Sequence, residues 1–144
     1  DDVFGGPRWC ELVSPEDAKR YQQSSTIPIM QDPDGQAVRR NFVHVDDLVS
    51  AILTSLGHPG ARQQLFNISM DEPVNYQAVA DYLQETRQLD SVGVKTGFYS
   101  TWLDNAKARH RLGWSPEYDL AKLIDASWNY QRGSDDERKV WYPG

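Results

Sequence analysis

The 144-residue sequence has one cysteine, Cys10, so no intramolecular disulfide can form and a reducing compartment, the cytoplasm, is expected. A lone thiol reads as a packed or unused side chain before it reads as a nucleophile. No apolar run approaches the ~20 residues of a membrane span. The opening Asp1-Asp2-Val3 has neither the basic nor the apolar region of a signal peptide, and no initiator Met, so the chain is expected to be part of a longer one. An excess of positive charge is also missing. The net charge is −6 and the isoelectric point about 4.9, which argues against a nucleic-acid partner. The one dense charge run, Asp135 to Lys139, has mixed sign and reads as a solvated end. His44, His58 and His110 have no metal-ligand spacing, so no metal site is expected.

What is present is a globular composition, 39% apolar and 25% charged, with five Trp and seven Tyr. The length suits one domain with a modest core. No repeat, linker or low-complexity stretch divides it.

Ser14-Pro15-Glu16-Asp17 reads as a helix start, with a Ser cap, Pro at the first helical position and acids in the first turn. That helix should end near Gln23. Ile27 to Met30 is a short extended piece that Pro28 confines to an edge. Asp32-Pro33-Asp34-Gly35 is a turn. Phe42 to Val45 is apolar and β-prone, and is expected to be a strand. Asp46 or Asp47 then caps a helix with Leu48, Val49, Ile52, Leu53 and Leu56 on one face, stopped by Gly57, Pro59 and Gly60. Leu65 to Ile68 is the next expected strand. Asn75 caps a helix with Tyr76, Val79, Ala80 and Leu83 on one stripe, and Val92 to Lys95 is a short strand. Asp104 opens a short helix ending at Leu112-Gly113. The last helix carries Leu120, Leu123, Ile124 and Trp128 on one side, with Leu120 and Leu123 expected on a buried face. Alternating strands and helices make the class α/β, with few strands and several helices.

Three ordered patterns resemble the NAD-dependent epimerase/dehydratase branch of the extended short-chain dehydrogenase/reductase superfamily. The run from Asp34 to Leu48, DGQAVRRNFVHVDDL, is similar to that family's dG-x-x-x-R-D-F-v-H-V-D-D signature. Phe66-Asn67-Ile68 before a turn and a helix is the second pattern. Asp104-Asn105-Ala106-Lys107 with Leu112-Gly113-Trp114-Ser115-Pro116 resembles the family's D-x-s-K-a-x-x-x-L-G-W-x-P ending. The resemblance runs from residue 27 to residue 131. Asp2 to Pro7 is similar to an N-x-Y-G-P loop, but has Asp for Asn and an extra Gly. The resemblance implies that residues 1–144 are a single C-terminal substrate-binding segment, with residues 1–13 a remnant of the nucleotide-binding half. It also implies NAD or NADP in the full-length parent.

No G-x-x-G-x-x-G is present, so the dinucleotide-binding βαβ unit is missing and this chain alone should hold no dinucleotide. Catalysis in the family uses a Tyr with a Lys four residues on; the Lys cation favours the phenolate. Tyr118 and Lys122 have that spacing but follow the L-G-W-x-P turn, the wrong place, so no catalytic residue is assigned. Arg40 matches the Arg that, in the family, contacts the diphosphate of a nucleotide sugar, chemistry suited to a permanently charged fork. Arg39 points to the opposite face of an extended chain. Lys95 stands where the family carries a phosphate-binding Arg, and no acid follows it through Trp102, which favours a sugar or sugar acid as the alternative substrate. Tyr99 and Trp102 can stack on a sugar or simply pack. His44 reads as a core histidine bonded to backbone.

The chain is thus expected to be the substrate-binding portion of a sugar or nucleotide-sugar epimerase or dehydratase. The alternatives are part of a sugar or sugar-acid dehydrogenase, or a non-catalytic binding or assembly module. Separated from a nucleotide-binding half, it should expose Phe42, Val43, Leu48, Ile52, Leu65 and Phe66 and form a homodimer. The rival is a monomer covered by a tail around Trp141 and Tyr142.

Overall fold

The computed structural model describes residues 13–131. Cys10, the loop at 2–7, the charge run at 135–139, and Trp141 and Tyr142 lie outside the described residues.

Helix α1 spans Pro15–Ser24 and starts as its sequence dictates: the Ser14 hydroxyl accepts the Asp17 amide at 3.1 Å, and Glu16 and Asp17 face the positive helix end. Strand β1, Ile27–Gln31, pairs in parallel with β4, Ser91–Lys95, from Ile27 opposite Ser91 to Gln31 opposite Lys95. Between β1 and β2 the chain reverses at Asp32–Gly35. The Asp32 carboxylate accepts the amides of Asp34 and Gln36, and Gly35 takes a φ of +83° that a side chain disfavours. Strand β2, Arg39–Arg40, pairs antiparallel with β3, Val74–Asn75. The remaining elements are α2, Val45–Ser55; a 3₁₀ turn, Pro59–Ala61; α3, Tyr76–Arg87; α4, Ala106–Leu112; and α5, Leu120–Asn129. The result is the mixed α/β class, with few strands and several helices.

The expected strands at Phe42–Val45 and Leu65–Ile68 do not form. Neither stretch has a ladder partner among the described residues. Their polar groups bond elsewhere: the Phe42 carbonyl accepts the Met70 amide, the Leu65 carbonyl accepts the Lys107 ammonium, and the Asn67 amide donates to the Asp104 carbonyl. The strand in this region lies earlier, at Arg39–Arg40, because that is where β3 and the 96–103 loop meet the chain.

The cap of α2 is also a correction. His44, not Asp46 or Asp47, occupies it, with Nδ1 accepting the Asp46 amide at 3.2 Å. Nδ1 in that role carries no proton, so its 3.5 Å approach to the Asp46 carboxylate is no ion pair. His44 therefore bonds to backbone as expected, though not from within a strand. Asp47 is buried and accepts the Glu117 and Tyr118 amides, at 2.9 and 3.1 Å, fastening α2 to the segment before α5.

Two apolar centres form. Ala51 of α2 packs with Ala108, Leu112 and Trp114, edged by Phe66 and Ile68. Ile29, Val38, Val74, Ala80 and Leu83 are buried beneath β1 and α3. Leu120 and Leu123 are only half-buried, and no residue of α5 is fully enclosed.

Candidate functional site

The site grows from the two-residue ladder of β2 and β3. Directly opposed residues of an antiparallel pair share a face. Arg40 therefore stands with Val74 on one face, and Arg39 with Asn75 on the other. The loop between β4 and α4 closes against β2: the Thr101 amide donates to the Arg39 carbonyl at 3.2 Å, the Arg39 amide to the Ser100 hydroxyl at 3.0 Å, and the Leu103 amide to the Asn41 side chain at 2.5 Å.

This loop puts an aromatic wall beside Arg40. Its guanidinium carbon lies 5.5 Å from the centre of the Phe98 ring, and Nη1 is 3.4 Å from the Thr101 hydroxyl, at the long limit of a hydrogen bond. No ion pair neutralises Arg40 among the described residues. Tyr76, the first residue of α3, is close enough to respond to that charge. Burial pushes its phenol pKa up, and Arg40 opposes the shift. Tyr76 also lines an apolar cleft of about 310 Å³ between α3 and α5, with Phe42, Leu83, Leu120, Ile124 and Trp128. A cation, a phenol and an apolar cleft can together hold a ligand with an anionic part and a flat or apolar part.

The other sequence-derived candidates lie apart. Lys95 runs its stem over the turn at Gly35, where a Cβ would meet its Cε at 3.9 Å. Tyr99 is exposed on the loop. No described contact joins either residue to Arg40. Tyr76 was read from the sequence as part of a helix stripe, and nothing there marked it for Arg40; only the ladder does.

Tyr118 and Lys122 are held in a way that opposes catalysis. The Tyr118 hydroxyl donates to the Asp46 carboxylate at 3.0 Å, its ring stacks on His44 at 3.7 Å, and Lys122 donates to the Glu117 carbonyl. The carboxylate raises the Tyr118 pKa, the reverse of what a phenolate base requires. Among the described residues no cluster of three or more His, Cys, Asp or Glu could hold a metal, and no helix is long and apolar enough to cross a membrane.

No protein-family model matches the chain. Among curated relatives, the chain is 30% identical over 113 residues to the chloroplast stem-loop binding protein of 41 kDa b from Arabidopsis thaliana, an alignment covering 67% of this chain and 30% of that protein. It is 28% identical over 104 residues to the UDP-glucose 4-epimerase of Rhizobium meliloti, covering 67% and 31%. The chain thus spans about a third of the length of the curated relatives it matches. Among solved structures, a short-chain dehydrogenase/reductase superfamily protein from Agrobacterium tumefaciens with bound NAD superposes with a TM-score of 0.64 at 22% identity, covering 78% of this chain and 37% of that one. At that identity the superposition establishes the fold. Two further curated relatives are again UDP-glucose 4-epimerases, and other superposed folds include a UDP-glucuronic acid 4-epimerase and a UDP-Glc/GlcNAc 4-epimerase. Over about a third of their length the chain is thus similar in sequence to UDP-glucose 4-epimerases, and it shares the fold of the corresponding part of an NAD-binding short-chain dehydrogenase/reductase protein.

Proposed function

We propose that the chain is the substrate-holding, C-terminal portion of an NAD(P)-dependent sugar or nucleotide-sugar epimerase or dehydratase. The dinucleotide and the acid/base chemistry belong to parts of the longer protein outside these residues. Arg40 receives the phosphate of the substrate, and the cleft lined by Tyr76, Phe42 and Trp128 receives its less polar part. The observation that supports this most is the unneutralised Arg40 against the Phe98 ring. A half-buried guanidinium without a carboxylate partner among the described residues is ready for a bidentate contact to phosphate. A structural neighbour from Bordetella bronchiseptica, WbmG, holds NAD and UDP, with a TM-score of 0.55 at 21% identity. The parent of this chain takes the same classes of ligand in this reading.

The test is Arg40→Ala in the full-length parent, assayed with a UDP-sugar. The loss of a charge-assisted contact, about 2 kcal/mol, raises KM about thirtyfold with kcat little changed. Unchanged kinetics reject the assignment.

One observation favours a second reading. No acid lies between Lys95 and Leu103, so the loop offers no carboxylate for a nucleotide ribose. A sugar or sugar acid oxidised or reduced by the same superfamily chemistry needs none. Arg40→Ala then has a small effect on a phosphate-free substrate.

The isolated chain pairs with a second copy through α2 and Leu65, in a reducing cytoplasm. Leu48, Val49, Ile52, Leu53 and Leu56 are 39–70% exposed along α2, and Leu65 is 84% exposed. Of the other residues named for that face, Phe42 is exposed, while Val43 and Phe66 are half-buried. A contiguous apolar stripe of this kind is unusual on a monomer.

A further inference from the structure

Arg39, set aside in favour of Arg40, opens a separate site on the opposite face of β2. A cavity of about 540 Å³ lies there, walled by Gln31, Gln36, Arg39, Gln77, Ser100 and Trp102. It does not touch Arg40, Tyr76 or the cleft between α3 and α5.

The chemistry of its walls is specific. Among the described residues the Arg39 guanidinium has neither a hydrogen bond nor an ion pair, and the side-chain amides of Gln31 and Gln36 are also without partners. These are several donors and acceptors converging on one space. On the adjoining turn the Asp32 carboxylate is buried and already accepts the Asp34 and Gln36 amides, and neither it nor Asp34 forms an ion pair with Arg39. Gln77 is engaged with Asp81 at 2.8 Å and forms a passive wall. Trp102 is 58% exposed beside them, a broad apolar face at the rim.

Gln31 is held in place by a glycine. The ladder sets it beside Gly93 and Lys95, and a methyl group on Gly93 would overlap the Gln31 carboxamide. The absence of a side chain at Gly93 lets that amide lie flat against the sheet. Lys95 passes over Gly35, which belongs to the same cavity wall, adding a second cation at the edge.

An exposed indole, two free carboxamides and a free guanidinium form a recognition set for a hydroxylated ring bearing a carboxylate. The ring's C–H face stacks on indole, its hydroxyls pair with amides that both donate and accept, and its carboxylate takes the guanidinium fork. We propose that this cavity is a second carbohydrate site, distinct from the Arg40 site, and that it binds an acidic monosaccharide of the uronic-acid class.

The test is an NMR titration of the 144-residue chain with three probes: D-glucuronate, D-glucose and acetate. Glucuronate is expected to shift the Trp102 indole N–H and the Gln31 amide saturably. Glucose and acetate, each lacking one half of the recognition set, are expected to bind about tenfold more weakly or worse. Arg39→Gln weakens glucuronate about tenfold, Gly93→Ala also weakens it by displacing Gln31, and Arg40→Gln leaves the glucuronate-induced shifts of Trp102 and Gln31 as they are. Acetate binding as tightly as glucuronate, unshifted Trp102 and Gln31 resonances, or an Arg40→Gln loss equal to that of Arg39→Gln overturns the proposal. The wild-type titration stands alone if a variant fails to fold. Failure at this cavity leaves the Arg40 kinetics untouched, so the two readings are judged separately.

Discussion

Helices α2 and α3 are nearly equal in length, 11 and 12 residues, and both carry an apolar stripe at helical spacing, yet they sit in the molecule in opposite ways. In α3 the stripe is the buried face: Ala80 and Leu83 are enclosed over β1, and Tyr76 and Val79 line the cleft to α5. In α2 the larger apolar residues are the exposed ones. What α2 buries is Ala51, against Trp114 and Leu112, and the carboxylate of Asp47. Periodicity reveals that a helix has an apolar face; it carries no information on what stands against that face. A helix with small residues on one side and large apolar residues on the other is built to be covered twice, and this chain covers it once.

The sharpest way to break the comparison is to truncate each stripe in turn. Leu83→Ala removes a buried side chain from a packed site and is expected to cost about 3 kcal/mol in urea denaturation. At concentrations low enough to keep the chain monomeric, Leu53→Ala on the exposed stripe of α2 should cost less than about 1 kcal/mol. Equal losses under those conditions would mean that the α2 stripe is covered within the single chain.

Asp47→Ala comes next. It leaves the Glu117 and Tyr118 amides without their acceptor and detaches α2 from the α5 end, an expected loss of about 2 kcal/mol. Asp46→Ala, next to it in sequence but exposed, should lose much less. Chemical denaturation of the pair checks this.

The α3–α5 contact can be tuned by pH. Asp125 accepts from Arg87 at 2.6 Å and from the Tyr82 hydroxyl at 2.9 Å. Chiefly through Arg87 and then Tyr82, its pKa falls below the ordinary 3.8. A depressed carboxylate contributes its stability above the unfolded-state value and loses it as pH falls through the lower folded value. The Tm difference between wild type and Asp125→Asn should therefore be largest near neutrality and close as pH drops below 3.8. A difference independent of pH would show that the ion pair contributes nothing.

The smallest effect on stability, and the clearest on assembly, belongs to Leu56→Glu at the exposed end of α2. Stability of the monomer, measured at high dilution, should change by under about 0.5 kcal/mol. Sedimentation equilibrium at micromolar concentration should shift from twice the chain mass of 16.4 kDa toward that mass. A wild-type chain already at 16.4 kDa rejects the dimer.

Helix ends were legible wherever the instruction is local. Ser14 before Pro15, Asn75 before Tyr76 and Gly113 after Leu112 each place a cap or a left-handed residue within a few positions of the groups it satisfies, and all three act as read. The Asp32–Gly35 turn belongs with them. The two apolar stretches at Phe42–Val45 and Leu65–Ile68 were misread for the complementary reason. A strand is a relation between two segments, and β-prone residues without a neighbouring strand remain extended coil. The cap on α2 fell to His44 because its Nδ1 reached the Asp46 amide first, and that freed Asp47 for a partner 70 positions away.

The sequence alone determined that Arg39 and Arg40 point to opposite sides, because side chains of an extended chain alternate. What stands on each side was the decision of the tertiary structure. The 96–103 loop brings Phe98 and Thr101 to Arg40, and Ser100 and Trp102 to the face of Arg39. Those residues lie about sixty positions downstream, beyond the reach of any local rule.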